Sequence, residues 1–286
     1  MTEHSALDRS PWLYQVGEIA VECVPLPDAC WAIRQWQGVA TCSIREQQVL
    51  STAIRQCLAQ KDTTLMVDSH RSPAVLQWLL THGFGARRCK YLYEKMAPIS
   101  PAVPRQTDAA LVYKSLAELG ESVFLSHLVA AATDDPEGSA AANPEQEFQE
   151  LLAHAGVAFD PHRWFVAFDP ADPQCHEAVG VLLPQQFADK PSEGTLSYIG
   201  VMPAFRQRGY GVRLHRQGLE LLFAWGVKRY IGSTGQGNLA MQRVFETNGC
   251  RLLGKRYFLA CESVERTEHI PQHKDHQQQS GAEHEV

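Results

Sequence analysis

The run from Thr195 to Trp225 constrains this chain more than any other part of it. Thr195–Val201 is apolar and β-branched, ends shortly before Pro203, and reads as a buried strand. Val212–Trp225 carries apolar residues at helical spacing. Between them lies a turn, Arg206-Gln207-Arg208-Gly209-Tyr210-Gly211, with its glycines at i and i+2 and an arginine on each side of Gln207. A strand that feeds a glycine-rich turn opening a helix leaves several backbone N–H groups without intrahelical partners. They lie at the end where the helix dipole favours negative charge. Glycine lets a ligand approach the backbone, and arginine adds charge-assisted hydrogen bonds. Two arginines at a helix start oppose the dipole, which makes sense when an anion sits between them. Residues Arg206, Gln207, Arg208, Gly209, Tyr210, Gly211 and Val212 therefore read as a phosphate cradle.

The pattern narrows the ligand. A dinucleotide fingerprint needs a third glycine where Leu214 stands, and a P-loop needs Gly-Lys-Ser/Thr where Gly211-Val212-Arg213 stands. Arg206-x-x-Gly209-x-Gly211, with Val201 and Pro203 upstream, resembles the coenzyme A loop of the GNAT acyltransferase superfamily, Arg/Gln-x-x-Gly-x-Gly/Ala. Downstream, Arg229–Ser233 reads as a strand and Asn238–Asn248 as a helix ended by Gly249. This stretch is similar to the family element Asn-x-x-Ala-x-x-Leu-Tyr-x-Lys-x-Gly-Phe. It keeps Asn238, Val244 at the apolar position and Gly249, with Met241 in the Ala place and Cys250 in the final Phe place. Tyr257–Leu259 would be the last strand. The resemblance covers roughly residues 106–262 in element order, with its motifs in 195–250.

The resemblance implies an α/β (α+β) GNAT acyltransferase fold with a mixed central sheet, and acetyl-coenzyme A as cosubstrate. It implies that a backbone N–H at a bulge on the cradle strand, at Val201 or the residue beside it, serves as oxyanion donor. The strand edge at Ile199 and Val201 would pair with the pantetheine amides. Asn238 would hold the pantetheine arm, a role compatible with the competing reading of Asn238 as a plain helix N-cap. One departure bears on mechanism: many family members place a tyrosine where this chain has Phe245, which has no proton to give a leaving thiolate. An unperturbed thiol pKa of roughly 8.5 makes thiolate a tolerable leaving group without that acid.

An amine attacking a thioester must be neutral, so its proton needs an acceptor. Glu193 is the carboxylate nearest the start of the strand, but it precedes Gly194 and also reads as a turn residue. Tyr198 and Ser197 lie on opposite faces of a regular strand, so only one would face a cleft. Tyr198 reads either as a cleft residue or as a half-buried core aromatic, and His215, one turn into the helix, reads as structural. The implied activity is N-acetyl transfer to an amine of a small molecule or peptide by direct attack in a ternary complex. A coenzyme A-binding sensor or scaffold with little turnover is the alternative, and an interaction module that keeps the cradle for stability is a third reading.

At 286 residues the chain suits one and a half to two domains. Residues 1–97 read as strand Trp31–Trp36, helix Ile44–Ala59, strand Thr63–Val67, helix Pro73–Thr81 and strand Arg88–Glu94. That order repeats the second half of the fold, as a degenerate GNAT-like half without a working cradle; an unrelated α/β cap is the alternative. Pro98, Pro101 and Pro104 mark a 98–105 linker, and 106–262 is the acetyltransferase domain. Within it Ala109–Ser115 reads as a strand, Leu116–Ala132 as a helix with a break at Gly120, and Glu145–Ala155 as a helix. Trp164–Phe168 and Ala178–Leu183 read as a hairpin, and Thr133–Asn143 as a mobile loop, which the resemblance implies would cover the acceptor and set its choice. The 263–286 tail reads as disordered, with its histidines solvated rather than metal-bound. Eight cysteines without a C-x-x-C pair argue against zinc or a disulfide framework and fit a reducing cytoplasm. A net charge of −6 speaks against non-specific nucleic-acid binding, and no run is apolar enough to span a bilayer. A homodimer is one option for the oligomeric state.

Overall fold

The computed structural model describes residues 10–26, 30–58, 63–98, 111–137, 144–155, 159–170 and 177–261. The expected linker, apart from Pro98, and the polar tail lie outside the described residues, as does 138–143 of the expected loop. The first part of the chain forms β1 (Trp12–Val16), β2 (Ile19–Leu26), β3 (Cys30–Gln37), α1 (Ile44–Cys57), β4 (Thr64–Asp68), α2 (Pro73–Thr81) and β5 (Phe84–Met96). The second forms β6 (Val112–Ser115), α3 (Leu116–Leu119), α4 (Glu121–Ala132), α5 (Pro144–Ala155), β7 (Phe165–Phe168), β8 (Ala178–Phe187) and β9 (Lys190–Val201). It continues with α6 (Tyr210–Ala224), β10 (Arg229–Gly235), α7 (Leu239–Thr247) and β11 (Arg251–Cys261). The β-α-β-α-β order read in the first part is present, preceded by the hairpin strands β1 and β2, of which β2 alternates between buried and less buried positions. The helix expected over Leu116–Ala132 breaks at Gly120, whose φ of 79° lies in the region that favours glycine.

All strands join one mixed sheet in the order β1-β2-β3-β4-β11-β5-β10-β9-β8-β7-β6. Its centre is an exchange. β5, from the first part, lies antiparallel between β10 and β11, while β11, from the second, lies between β5 and β4. Each part thus lends the other a strand, and the two parallel pairs, β3–β4 and β9–β10, flank the exchanged strands.

Apolar clusters cover both faces. One packs α1 and α2 on the strands of the first part and on the lent β11 through Leu50, Ile54, Leu76, Leu79 and Leu259. Another places α4 and α5 on β7–β9 through Phe124, Leu128, Phe148, Trp164 and Leu183. On the opposite face α6 buries Leu214, His215, Gly218, Leu219 and Leu222. Gly218 lets that helix sit close to the sheet: a Cβ there would stand 2.6 Å from a Leu196 methyl and 3.0 Å from one of Leu182.

The exchange makes the two parts one cooperative unit. Leu92, 1 % exposed at the centre of β5, stands opposite Ser233 of β10 and Gly254 of β11. Leu92→Ala is expected to cost about 2–4 kcal/mol and to shift a single denaturant transition. Two separate transitions, with only one displaced, would contradict this.

Candidate active site

The cradle has the local structure its sequence dictates. Gln207 and Gly209 adopt positive φ, 62° and 83°, and Gly209 is the N-cap of α6. The amides of Val212 and Arg213 bond back to the Gly209 carbonyl at 3.1 and 3.3 Å. The amides of Gln207, Arg208, Gly209, Tyr210 and Gly211 have no hydrogen-bond partner among the described residues. Gln207, Arg208 and Gly209 are open to solvent. Arg208 lies over the Phe205 ring at 5.6 Å and Arg213 over the Tyr210 ring at 5.1 Å, which keeps positive charge around the turn. The Tyr210 hydroxyl bonds to Asp169, which with burial raises its pKa.

Arg206 departs from its expected role. Its guanidinium turns away from the turn and donates to the carbonyls of Val201 (3.1 Å), Ala131 (3.1 Å) and Thr133. A cation at the C-terminal end of α4 satisfies carbonyls the helix leaves unpaired and complements its dipole. Arg206 therefore ties the end of β9 to α4, and of the two arginines only Arg208 is placed to meet an anion.

The cradle strand carries a bulge, but not at Val201. Leu183 pairs with Tyr198 and Pro184 with Leu196, so Ser197 is the extra residue. Pro184 has no N–H to donate, and that gap in the ladder is where the irregularity sits. The bulge also changes the faces. Leu196 and Ile199 both pack on the α6 side, while Tyr198 packs on the α4 side. Ser197 and Tyr198, expected on opposite faces, both line one cavity of about 1080 Å³. Val201 lies outside its lining, at the strand end, opposite Gly180.

That cavity opens where the parallel strands part. β9 and β10 pair only at Glu193↔Arg229 and Gly194↔Tyr230. It is lined by Ser197, Tyr198 and Ile199 on one side and by Ile231–Gly235, Asn238 and Phe245 on the other. The closed end is held by ions. Arg229 bonds Glu94 at 2.9 Å and Glu193 at 3.1 Å, and Arg251 also reaches Glu94. Burial pushes the Glu94 carboxyl up, but the two arginines outweigh it and hold it below the usual carboxylate range. Glu193 is thus a paired strand residue that clamps β9 to β10, neither a turn residue nor a base facing the cavity.

Two acidic residues outside the expected set close the cavity mouth. Asp135, in the turn after α4, accepts from the Tyr198 hydroxyl at 3.2 Å. Glu137 accepts from Thr234 Oγ1 (2.5 Å), the Gly235 amide (2.8 Å) and Asn238 Nδ2 (3.3 Å), and pairs with Lys90 at 2.9 Å. Burial raises its carboxyl pKa, but the Thr234 hydroxyl, the Gly235 amide and Lys90 prevail and lower it. Asn238 caps α7, its Oδ1 accepting from the Met241 amide at 3.0 Å, so its side chain is engaged at both ends. The only sign of these acids in the sequence was their place in the Thr133–Asn143 loop assigned to acceptor choice.

Behind the cavity, His215 is fully buried, 3.2 Å from the Tyr230 hydroxyl and 3.0 Å from Asn248 Nδ2. Asn248 also donates to the Val212 carbonyl at 3.0 Å, which locks the first turn of α6 to α7. Phe245, 1 % exposed, stacks on Tyr93 at 4.5 Å and meets His215 edge-on.

Residues 124–250 match the acetyltransferase (GNAT) family, and this segment is a GNAT domain. Among solved structures, a GCN5-related N-acetyltransferase from Sphaerobacter thermophilus aligns over 85% of this chain and 75% of its own, with a TM-score of 0.57 and 16% identity. One from Kribbella flavida aligns over 89% and 90%, at 0.53 and 13% identity. A tandem GNAT protein from the clavulanic acid biosynthesis pathway aligns over 87% and 81%, at 0.53 and 15%. At such identities the likeness is one of fold, and it extends across both parts of the chain. No curated protein matches the sequence.

Burial, and secondarily Lys95, push the His215 pKa down to about 3. Its folded-state pKa lies below the unfolded value of about 6.5, so below that pH the unfolded chain takes up a proton the folded one refuses. Stability is therefore expected to fall as pH drops from about 6.5 toward 3, by up to about 1.4 kcal/mol per unit from this residue. His215→Gln should flatten that part of the slope in urea titrations; identical slopes would refute it.

Proposed function

We propose that the protein is an N-acetyltransferase that moves an acetyl group from acetyl-coenzyme A to an amine of a small molecule or peptide, by direct attack in a ternary complex. The observation that carries this reading is the row of amides from Gln207 to Gly211, without a partner among the described residues, at the start of α6, beside a strand bulged at Ser197 and parted from β10. The residues present fit a diphosphate: successive open donors, Gly209 in the left-handed conformation, and Arg208 exposed alongside. When bound, the acyl donor supplies a thioester carbonyl and a thiol leaving group.

Each residue then has a stated task. The amides of 207–211 and Arg208 hold the diphosphate. The backbone around Ser197, irregular in its pairing with β8, offers a donor to the oxyanion, a role that moves from Val201 to the bulge. The edge of β9 at Ile199 takes the extended arm as an added strand would. Asp135 accepts the proton of the incoming ammonium, directly or through the Tyr198 hydroxyl it holds. Phe245 supplies no proton, and the thiolate leaves on its own low basicity.

The second reading, a coenzyme A-binding sensor with little turnover, draws on Phe245 and on the engaged side chain of Asn238. Release of free thiol from acetyl-coenzyme A across a panel of amines separates the two.

Gly211 leaves room for a side chain: a Cβ there would lie 3.4 Å from Val244 and 3.8 Å from Val201, ordinary contact distances. Gly211→Glu adds a carboxylate beside the open amides and is expected to weaken acetyl-coenzyme A binding about 100-fold, or about 2.7 kcal/mol. Unchanged affinity by calorimetry would defeat the assignment. Asp135→Asn is expected to lower kcat about 100-fold or more near neutral pH with little change in donor affinity. A kcat within about twofold of the parent would remove Asp135 from the proton path.

A further inference from the structure

Beyond the Tyr230↔Gly194 pair, β10 has no registered partner on its β9 side, and its last residues turn to a carboxylate instead. Glu137 Oε1 takes the amide of Gly235, the hydroxyl of Thr234 and the side-chain amide of Asn238, while Oε2 takes the ammonium of Lys90. These donors come from the end of β10, the N-cap of α7 and β5, and all of these residues line the cavity. On the other wall, Asp135 of the same short segment holds the Tyr198 hydroxyl. Residues 135–137 therefore span the parted strands, bonded to both walls. An extended arm lying between β9 and β10 would run past the donors that Glu137 has taken.

We propose that Glu137 is an internal competitor of the acyl donor: a carboxylate plug at the end of β10 that the donor's arm displaces, and that Lys90, lent by the first part of the chain, helps to hold. This rests on the acyl-donor reading above. Displacing Glu137 unties one end of the 135–137 strap and frees the face of the cavity that Asp135 and Tyr198 line. Donor binding thus precedes acceptor binding. Glu137 is a positioning residue in this account, touching neither the thioester nor the amine.

A structural role and a competing role give effects of opposite sign. If Glu137 merely braces the site, removing it lowers both stability and affinity; if it competes, stability falls while affinity rises. Calorimetric titration of acetyl-coenzyme A into the parent protein, Glu137→Gln and Glu137→Ala, with thermal melts of each, reads both quantities. The expected result is a lower Tm with donor binding about tenfold tighter, in line with losing one charge-assisted contact. Binding that is equal or weaker in a folded variant overturns the proposal. Lys90→Met leaves Glu137 in place but removes one donor holding it, and it serves if the Glu137 variants do not fold. It is expected to tighten binding about threefold, and no tightening overturns the plug. Parent protein that binds, with variants no tighter, defeats the plug alone. If neither parent nor variants bind acetyl-coenzyme A, the acyl-donor reading fails, and this inference with it.

Discussion

The parting of β9 from β10 governs how the second part of the chain is built. Two opposed devices create it. At one end Arg229, between Glu94 and Glu193, draws the strands together with charge-assisted bonds at a partly buried site. Further along, Pro184 has no N–H to give its neighbour, and Ser197 becomes the extra residue of a bulge. The bulge lets Leu196 and Ile199 both face α6 while Tyr198 faces α4, so the strand can be packed on both sides and still lose its partner on one edge. An open strand edge inside a protein leaves unsatisfied donors, and Glu137 meets the one at Gly235.

The two parts of the chain share a strand plan but not a chemistry. In the first part Gly38, at φ 72°, turns the chain after β3, as the cradle turns it after β9. At the helix that follows, however, Ser43 takes the Glu46 amide at 3.3 Å, and the Glu46 carboxylate takes the Ser43 amide at 2.7 Å. This capping box occupies the N-cap amide, whose counterpart at Gly209 stays open at the α6 start, and sets a negative charge where a phosphate would need to sit. The first part contributes instead through β5: Glu94 to the ionic clamp, Lys90 to the carboxylate at the cavity mouth, and Tyr93 stacked on Phe245.

Features governed by neighbours in the chain could be read in advance. The cradle turn, the N-cap at Asn238, the break at Gly120 and the β-α-β-α-β order of the first part all follow from local backbone preferences and apolar periodicity. Side-chain roles set by distant partners could not. Arg206 and Arg208 look alike in sequence, yet Arg206 is claimed by carbonyls of α4 and Arg208 is left at the turn. Glu193 looks like the natural carboxylate for the strand until Arg229 is seen beside it. Asp135 and Glu137 lie in a polar stretch with no periodicity to single them out.

That a strand, a glycine turn and a helix would leave a row of amides open to an anion was written in the order of residues alone. Those donors belong to consecutive residues, and their geometry follows from the local backbone. What faces them, and what stands in the cleft, emerged with the packed chain. The register of Pro184 against β9, the lending of β5 across the sheet and the reach of Glu137 to β10 join residues far apart in the chain. Such pairings depend on how whole elements pack, which no local pattern encodes.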